Sequence, residues 1–224
     1  MENINLNSEF LTSVNATISS IVEDLNNTNN IDMDNINKDN TAVIIVDAVN
    51  GFCKEGIMYS PFVKENLPQL LGVVDKFKGY KKVFFIDTHI KNSVEFNTYP
   101  VHCIEGTSES ELVDELKPYL DKDAEMCVKN STNGFLAPEY QSWLKANKNI
   151  KNFVVCGYVT DICCLQYCLS QRAYMNQENL KGKVIAVVNA METYDLKITN
   201  HLRELMDIFA LYNMKLNGIE LVRA

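Results

Sequence analysis

Four residues with reactive side chains each follow an apolar, Val-, Ile- or Phe-rich segment of this 224-residue chain. They are Asp47, Asp87, Lys129 and Cys163. If the segments are neighbouring parallel strands, the four side chains gather at the edge of a sheet where ligands bind. A base, a carboxylate with a nearby histidine, a cation and a thiol suit addition to a carbonyl or nitrile carbon through a covalent thioester-type intermediate.

The segment around Cys163 predicts a strand, a sharp turn and a helix. The apolar run 153–156 reaches Gly157, a residue that permits a tight backbone turn. Thr160 and Asp161 are favourable helix N-caps. Cys163 then falls in the first helical turn, where free N–H groups hold an oxyanion and lower the pKa of a thiol below its usual ~8.5. Alternatively, Cys163 is a small core residue.

Asp47 and Lys129 are candidates for proton transfer and charge compensation. A carboxylate at the end of a buried strand has a raised pKa, which suits a general base near neutral pH. A lysine at the same sheet edge keeps a nearby carboxylate and thiolate charged. Alternatively, Asp47 caps a turn and Lys129 is an ordinary solvated lysine.

A loop that begins at Asp87 predicts a metal site. Asp87 and His89 are two residues apart in an extended segment and therefore point to the same side. Glu95 and His102 follow, so that two of the chain's three histidines fall in this loop. Carboxylate and imidazole ligands suit a divalent metal such as zinc, manganese or iron. Alternatively, the loop is a polar surface segment whose acids occur there by chance.

Strand and helix patterns alternate from residue 41 onwards, which predicts an α/β fold with an open parallel sheet covered on both faces. The predicted strands are 42–46, 82–86, 125–128, 153–156, 184–188 and a weaker one at 219–222. The predicted helices lie near 61–79, 109–120, 138–148, 161–176 and 196–213. Ser108 and Glu111 form a capping box for the second helix.

Residues 1–40 differ from the domain predicted at 41–224. Apolar residues at helical spacing over 10–25, after a cap at Ser8, predict an amphipathic helix that packs on the body or on a second subunit. The Asn-rich stretch that follows is a connector. The helix also favours a homo-oligomer. Alternatively, this segment is a partner-binding arm.

Composition excludes several classes of function. The net charge of −8 and the absence of a basic cluster argue against nucleic acid as a partner. No apolar run approaches the ~20 residues of a membrane span, and no signal-peptide pattern is present. Seven cysteines, an odd number with several inside apolar runs, indicate reduced thiols and a cytoplasmic location.

Several motifs over about residues 41–190 resemble the nicotinamidase branch of the isochorismatase-like cysteine hydrolases. They are Val-Asp-x-x-Asn-x-Phe at 46–52, Asp-x-His at 87–89, Tyr-Pro-x-His-Cys-x-x-Gly-Thr at 99–107, a lysine at 129 and Gly-x-x-Thr-Asp-x-Cys at 157–163. The resemblance implies a three-layer α/β/α fold with a six-stranded parallel sheet. It also implies a divalent metal bound by Asp87, His89, Glu95 and His102, and we expect zinc, with manganese or iron as alternatives.

The resemblance further implies the roles of individual residues. Asp47 transfers protons, Lys129 is the catalytic lysine, and Cys163 rather than Cys164 is the nucleophile. The peptide bond before Val159 is cis, and the N–H groups of Val159 and Cys163 hold the oxyanion. Two aromatic residues contact the substrate ring, and they are Phe52 and Tyr99.

The predicted function is hydrolysis of nicotinamide, a small aromatic amide, to nicotinate and ammonia. Three alternatives remain. One is a related cysteine amidase that acts on another small amide or on a carbamoyl substrate, a group that generally lacks the metal loop. The second is a catalytically silent, ligand-binding homologue, and the third is a redox-sensing protein that uses Cys163 and Cys164.

Overall fold

The computed structural model describes residues 6–224, so residues 1–5 of the predicted N-terminal segment lie outside the described part. Its centre is one six-stranded sheet in the order β3-β2-β1-β4-β5-β6, and all neighbouring strands are parallel. The strands are β1 (Thr41–Val46), β2 (Lys81–Asp87), β3 (Ala124–Lys129), β4 (Asn152–Tyr158), β5 (Lys183–Glu192) and β6 (Glu220–Val222). The predicted sheet is therefore confirmed.

Helices cover both faces of the sheet. They are α1 (Ser8–Asn26), α2 (Asn50–Cys53), α3 (Pro61–Lys76), α4 (Pro138–Ala146), α5 (Leu165–Gln177) and α6 (Arg203–Leu216). Alternate residues of β1 enter two separate cores: Val43 and Ile45 pack with α3, whereas Ile44 packs with α4, α5 and α6. These two cores and the sheet between them form the predicted three layers.

Two helical predictions were wrong in their extent. Over 109–120 the chain forms two short 3₁₀ turns, Ser108–Ser110 and Asp114–Tyr119, and not one α-helix with a capping box. Leu112 between them pairs with Val49 in an antiparallel bridge, which interrupts the helix, and Pro118 lacks the N–H that a helix interior uses. The last helix begins only at Arg203, because a 3₁₀ turn and a bridge occupy 196–201.

The expectation that every strand is covered on both faces fails at β3. This strand is the edge of the sheet, and Met126 and Val128 are 44% and 46% exposed, whereas Cys127 and Lys129, which alternate with them, are buried. An edge strand that lacks a covering helix on one face alternates between buried and exposed side chains. Lys129 lies on the inner face.

The predicted N-terminal helix is present and packs against α6. Its N-cap is Asn7, whose side chain accepts a hydrogen bond from Phe10 N, and not the predicted Ser8. Ile21 is its buried residue, and Asp24 forms an ion pair with Lys215 of α6. No helix in the described residues is long and apolar enough to cross a membrane.

Gly157 permits a close approach of two central strands. The sequence predicted a turn at this residue, but the turn does not begin there. The strand β4 continues through it to Tyr158. Gly157 has a φ of +120°, and a Cβ there would lie 2.1 Å from the carbonyl oxygen of Val46 in β1. Both the backbone conformation and the spacing therefore require glycine.

We predict that Gly157→Ala lowers the free energy of unfolding by at least about 2 kcal/mol, because the new methyl group meets the β1 backbone at a strained φ. Chemical denaturation measures the change. Gly72→Ala is the matched control, since Gly72 lies in α3 with no atom within 4 Å of an added Cβ. The free energy of unfolding of this control should rise by about 0.5–1 kcal/mol. Equal denaturation midpoints for Gly157→Ala and wild type would contradict this account of Gly157.

Candidate active site

The carboxyl ends of four strands bring Asp47, Asp87, Lys129 and Cys163 together. Lys129 Nζ lies 2.5 Å from Asp87 Oδ1 and 2.9 Å from Asp47 Oδ2. The same ammonium lies 3.7 Å from the Sγ of Cys163. All four residues are buried, with Cys163 the most accessible at 5% exposure. Adjacent strands produce this cluster directly, since Asp87 and Lys129 are register partners in β2 and β3.

The buried ammonium affects its two carboxylate neighbours differently. Burial raises the pKa of Asp47 to about 7, against the attraction of Lys129. Burial acts in the same sense on Asp87, but Lys129 and hydrogen bonds from two histidines outweigh it and lower the pKa of Asp87. Neither oxygen of Asp47 has a well-aligned hydrogen bond within the described residues. Asp47 is therefore the carboxylate suited to exchange a proton near neutral pH.

Cys163 lies in a π-helical turn, Thr160–Cys164, that continues into α5. The predicted caps were wrong: no side chain caps this turn, and both carboxylate oxygens of Asp161 contact residues of a later loop.

The expected fall in the pKa of the Cys163 thiol was also wrong in sign. Burial, together with the charges of Asp47 and Asp87, outweighs Lys129 and raises this pKa well above its usual range. The thiol is thus protonated at rest and needs a base.

Cys163 and Cys164 differ in their surroundings although they are adjacent. Cys163 lines a cleft that opens at the sheet edge, whereas Cys164 is fully buried in the core beside α5. The peptide bond between Tyr158 and Val159 is cis, as the resemblance implied. Val159 also lines the cleft, so its backbone lies near Cys163.

Asp87, His89 and His102 form a buried group whose ligand atoms lie within 4.8 Å of one another. The Nε2 atoms of both histidines lie 3.1 Å from Asp87 Oδ2. Each Nδ1 atom faces an oxygen: Pro100 O at 2.7 Å for His102, and Asn130 Oδ1 at 3.3 Å for His89. A hydrogen bond from Nδ1–H directs the Nε2 lone pair inward, the arrangement that metal-binding histidines use. These three residues fit a divalent metal.

Glu95 lies beside this group but is not one of the three residues whose ligand atoms lie within 4.8 Å of one another. Its Oε1 is 3.6 Å from His89 Nε2, and its Oε2 accepts a hydrogen bond from Thr132 N. Glu95 thus has one oxygen directed at the histidines and one held by the loop after β3.

Aromatic side chains form much of the cleft wall. Phe52 and Tyr99, the two residues predicted to contact a substrate ring, both line it, and the Phe52 ring centroid lies 5.9 Å from that of His102. Sequence reasoning missed four further lining residues: Met58, Thr132, Ile162 and Tyr194. Thr132 and Tyr194 follow β3 and β5 closely, so the rule that ligands lie beyond strand ends would have indicated both.

Comparison with known proteins agrees with this architecture. The isochorismatase domain family matches residues 41–175. The chain belongs to this family. Nicotinamidase 1 of Arabidopsis thaliana is 32% identical over 216 residues, which cover 84% of this chain and 87% of that protein. The resemblance to the nicotinamidase branch, and with it a nicotinamidase-type amide hydrolase, is confirmed at the level of the family.

Solved structures of isochorismatase-like proteins share the fold. The nicotinamidase PncA from Bacillus subtilis has a TM-score of 0.68 at 21% identity and covers 82% of this chain and 99% of its own. The pyrazinamidase of Pyrococcus horikoshii, solved in complex with zinc, has a TM-score of 0.66 at 24% identity with coverage of 82% and 99%. The N-carbamoylsarcosine amidase from Thermoplasma acidophilum has a TM-score of 0.64 at 23% identity with coverage of 82% and 96%.

We predict that the wild-type protein retains about one divalent ion per chain after dialysis. The double variant Asp87→Ala with His102→Ala should retain none, because it removes two of three converging ligands. His201→Ala is the matched control, since its imidazole lies outside this group, and it should keep the metal. Elemental analysis of the three proteins, with thermal unfolding to show that each is folded, measures the difference. Full metal content in the double variant would refute the ligand set.

Proposed function

We propose that this protein hydrolyses nicotinamide to nicotinate and ammonia. The observation that carries the proposal is the placement of the Cys163 thiol in an aromatic cleft, beside a buried ammonium and a carboxylate of raised pKa. The 32% identity to a nicotinamidase supports the choice of substrate.

The cluster supports a two-stage reaction in which Asp47 carries the proton. In the first stage Asp47 accepts the thiol proton, and the Cys163 sulfur attacks the amide carbon of the substrate. The backbone N–H groups of Val159 and Cys163 stabilise the oxyanion. Asp47 then protonates the leaving nitrogen, the C–N bond breaks, and ammonia leaves a nicotinoyl thioester.

The second stage consumes one water molecule. Asp47, now a carboxylate again, takes a proton from the water molecule while the water oxygen attacks the thioester carbon. The C–S bond breaks, Asp47 returns its proton to the sulfur, and the product leaves as nicotinic acid, which ionises to nicotinate as the released ammonia takes up its proton. Throughout both stages the Lys129 ammonium offsets the negative charge that moves between Asp47 and Cys163.

We further propose that Asp87, His89 and His102, with Glu95, hold a divalent metal, and that it is zinc. The donor set of imidazole and carboxylate suits zinc, and the pyrazinamidase of similar fold was solved with it. When bound, such an ion supplies a Lewis acid that accepts the lone pair of an aromatic ring nitrogen. Phe52 packs near this group and would contact the same ring.

Tyr99 provides a second contact for a flat substrate. Its side chain lines the cleft together with Cys163 and Glu95. Aromatic side chains in the cleft wall favour a planar ring by offset stacking or edge contact. This arrangement supports an aromatic amide over a flexible carbamoyl substrate.

Three broader parts of the prediction also remain proposals. A cytoplasmic location agrees with seven free cysteines, all of them buried. A homo-oligomer agrees with the exposure of Phe10 and Leu11 on α1, at 41% and 46%. Separation of domains at residue 41 rests on composition and the family match, which begins there.

We predict that Cys163→Ala lowers the rate of ammonia release from nicotinamide by at least ~10³-fold, because the reaction loses its nucleophile. Cys164→Ala is the matched control, since this neighbour is enclosed in the core, and it should keep kcat within about threefold of wild type if it folds. Ammonia release from metal-replete enzyme measures both. Near-normal turnover by Cys163→Ala would refute the mechanism, and hydrolysis of a carbamoyl substrate in preference to nicotinamide would refute the substrate.

A further inference from the structure

His201 is the one histidine outside the candidate metal group, and it lies against the turn that carries Cys163. Its Nε2 is 2.9 Å from Asp161 Oδ2, and its Nδ1 is 2.9 Å from the backbone oxygen of Tyr194. The His201 and Asp161 side chains are only 10% and 4% exposed. The imidazole therefore joins the nucleophile turn to the chain segment that holds Tyr194.

The Tyr194 ring rests directly on His201. The ring centroids are 4.2 Å apart and the ring planes differ by 23°, which is a stacked arrangement. The side chain of Tyr194 also lines the cleft with Cys163 and Tyr99. The imidazole thus supports one face of an aromatic side chain that faces the cleft.

Tyr194 and His201 both belong to the loop formed by residues 193–202. The loop closes on itself through paired backbone hydrogen bonds between Leu196 and His201. Residues 195–200 are exposed, and Ile198 at the tip is 87% exposed, so little packing holds the loop. Its polar attachments to the nucleophile turn are His201 and the Thr193 hydroxyl, which donates to Asp161 Oδ1 at 2.6 Å.

We infer that His201 is a positioning residue that fixes Tyr194 as a third aromatic wall of the substrate cleft, so that the cleft selects flat aromatic amides. The inference rests on the proposed function, because it concerns how the same cleft holds its substrate. His201 does not touch the substrate in this account. It acts by stacking on Tyr194 and by tying the loop to Asp161.

Steady-state kinetics on nicotinamide with the full-length, metal-replete enzyme tests this role. The variants are His201→Ala, Tyr194→Ala and the double variant, with Ile198→Ser as a control in the same loop. His201→Ala should raise KM about tenfold, the size expected for loss of an ordered aromatic contact, while kcat changes by less than about threefold. Ile198→Ser should match wild type, because its side chain is exposed.

The double variant distinguishes action through Tyr194 from a general structural role. If His201 acts through Tyr194, the double variant should have the KM of Tyr194→Ala alone, because the two effects are not additive. His201→Gln keeps a donor toward Asp161, so its KM should lie between those of His201→Ala and the wild type. Thermal unfolding of each variant shows whether it is folded.

Three outcomes would overturn the inference: an unchanged KM in His201→Ala, additive effects in the double variant, or a loss confined to kcat. The last would mean that His201 acts on the nucleophile turn and not on the cleft wall. Absence of nicotinamide hydrolysis by the wild type is a separate result, because it refutes the proposed function before any variant is compared.

Discussion

The buried ammonium of Lys129 is the interaction on which the site depends. Two carboxylates, and the thiolate that forms when Cys163 loses its proton, need a cation in a dry site, since each uncompensated buried ion costs several kcal/mol. Lys129 contacts Asp47 and Asp87, and these carboxylates outweigh burial and keep its pKa well above the usual range. One positive charge cannot neutralise two carboxylates fully. The pKa of Asp87 is lowered, so Asp87 is held ionised, whereas the pKa of Asp47 is raised to about 7.

This division of charge connects the two halves of the site. Asp87 directs one oxygen at Lys129 and the other at His89 and His102, so the same carboxylate belongs to the cluster around Lys129 and to the candidate metal group. The backbone sets these distances: β2 and β3 pair in register, and the absence of a side chain at Gly157 lets β4 lie close to β1. Charge placement is thus a consequence of sheet geometry.

The sheet and the clustering of strand-end residues could be predicted because alternation of apolar segments and helices determines a parallel sheet, and a parallel sheet gathers its carboxyl ends at one edge. The direction of the pKa shift of Cys163 could not be predicted, because it depends on how completely side chains from several elements exclude water. The stacking of Tyr194 on His201 could not be predicted for a related reason, although the position of Tyr194 just after β5 could. Their meeting depends on the path of an irregular loop, which no local periodicity reveals.

The most direct test of the account is whether Cys163 carries the substrate's acyl group during turnover. Wild-type enzyme mixed with saturating nicotinamide, quenched in acid within milliseconds and mapped by peptide mass spectrometry, should show a nicotinoyl group on Cys163. The adduct should persist in Cys164→Ala and should be missing from Asp47→Asn, which cannot accept the thiol proton. An adduct on another residue, or turnover without any acylated Cys163, would contradict the account.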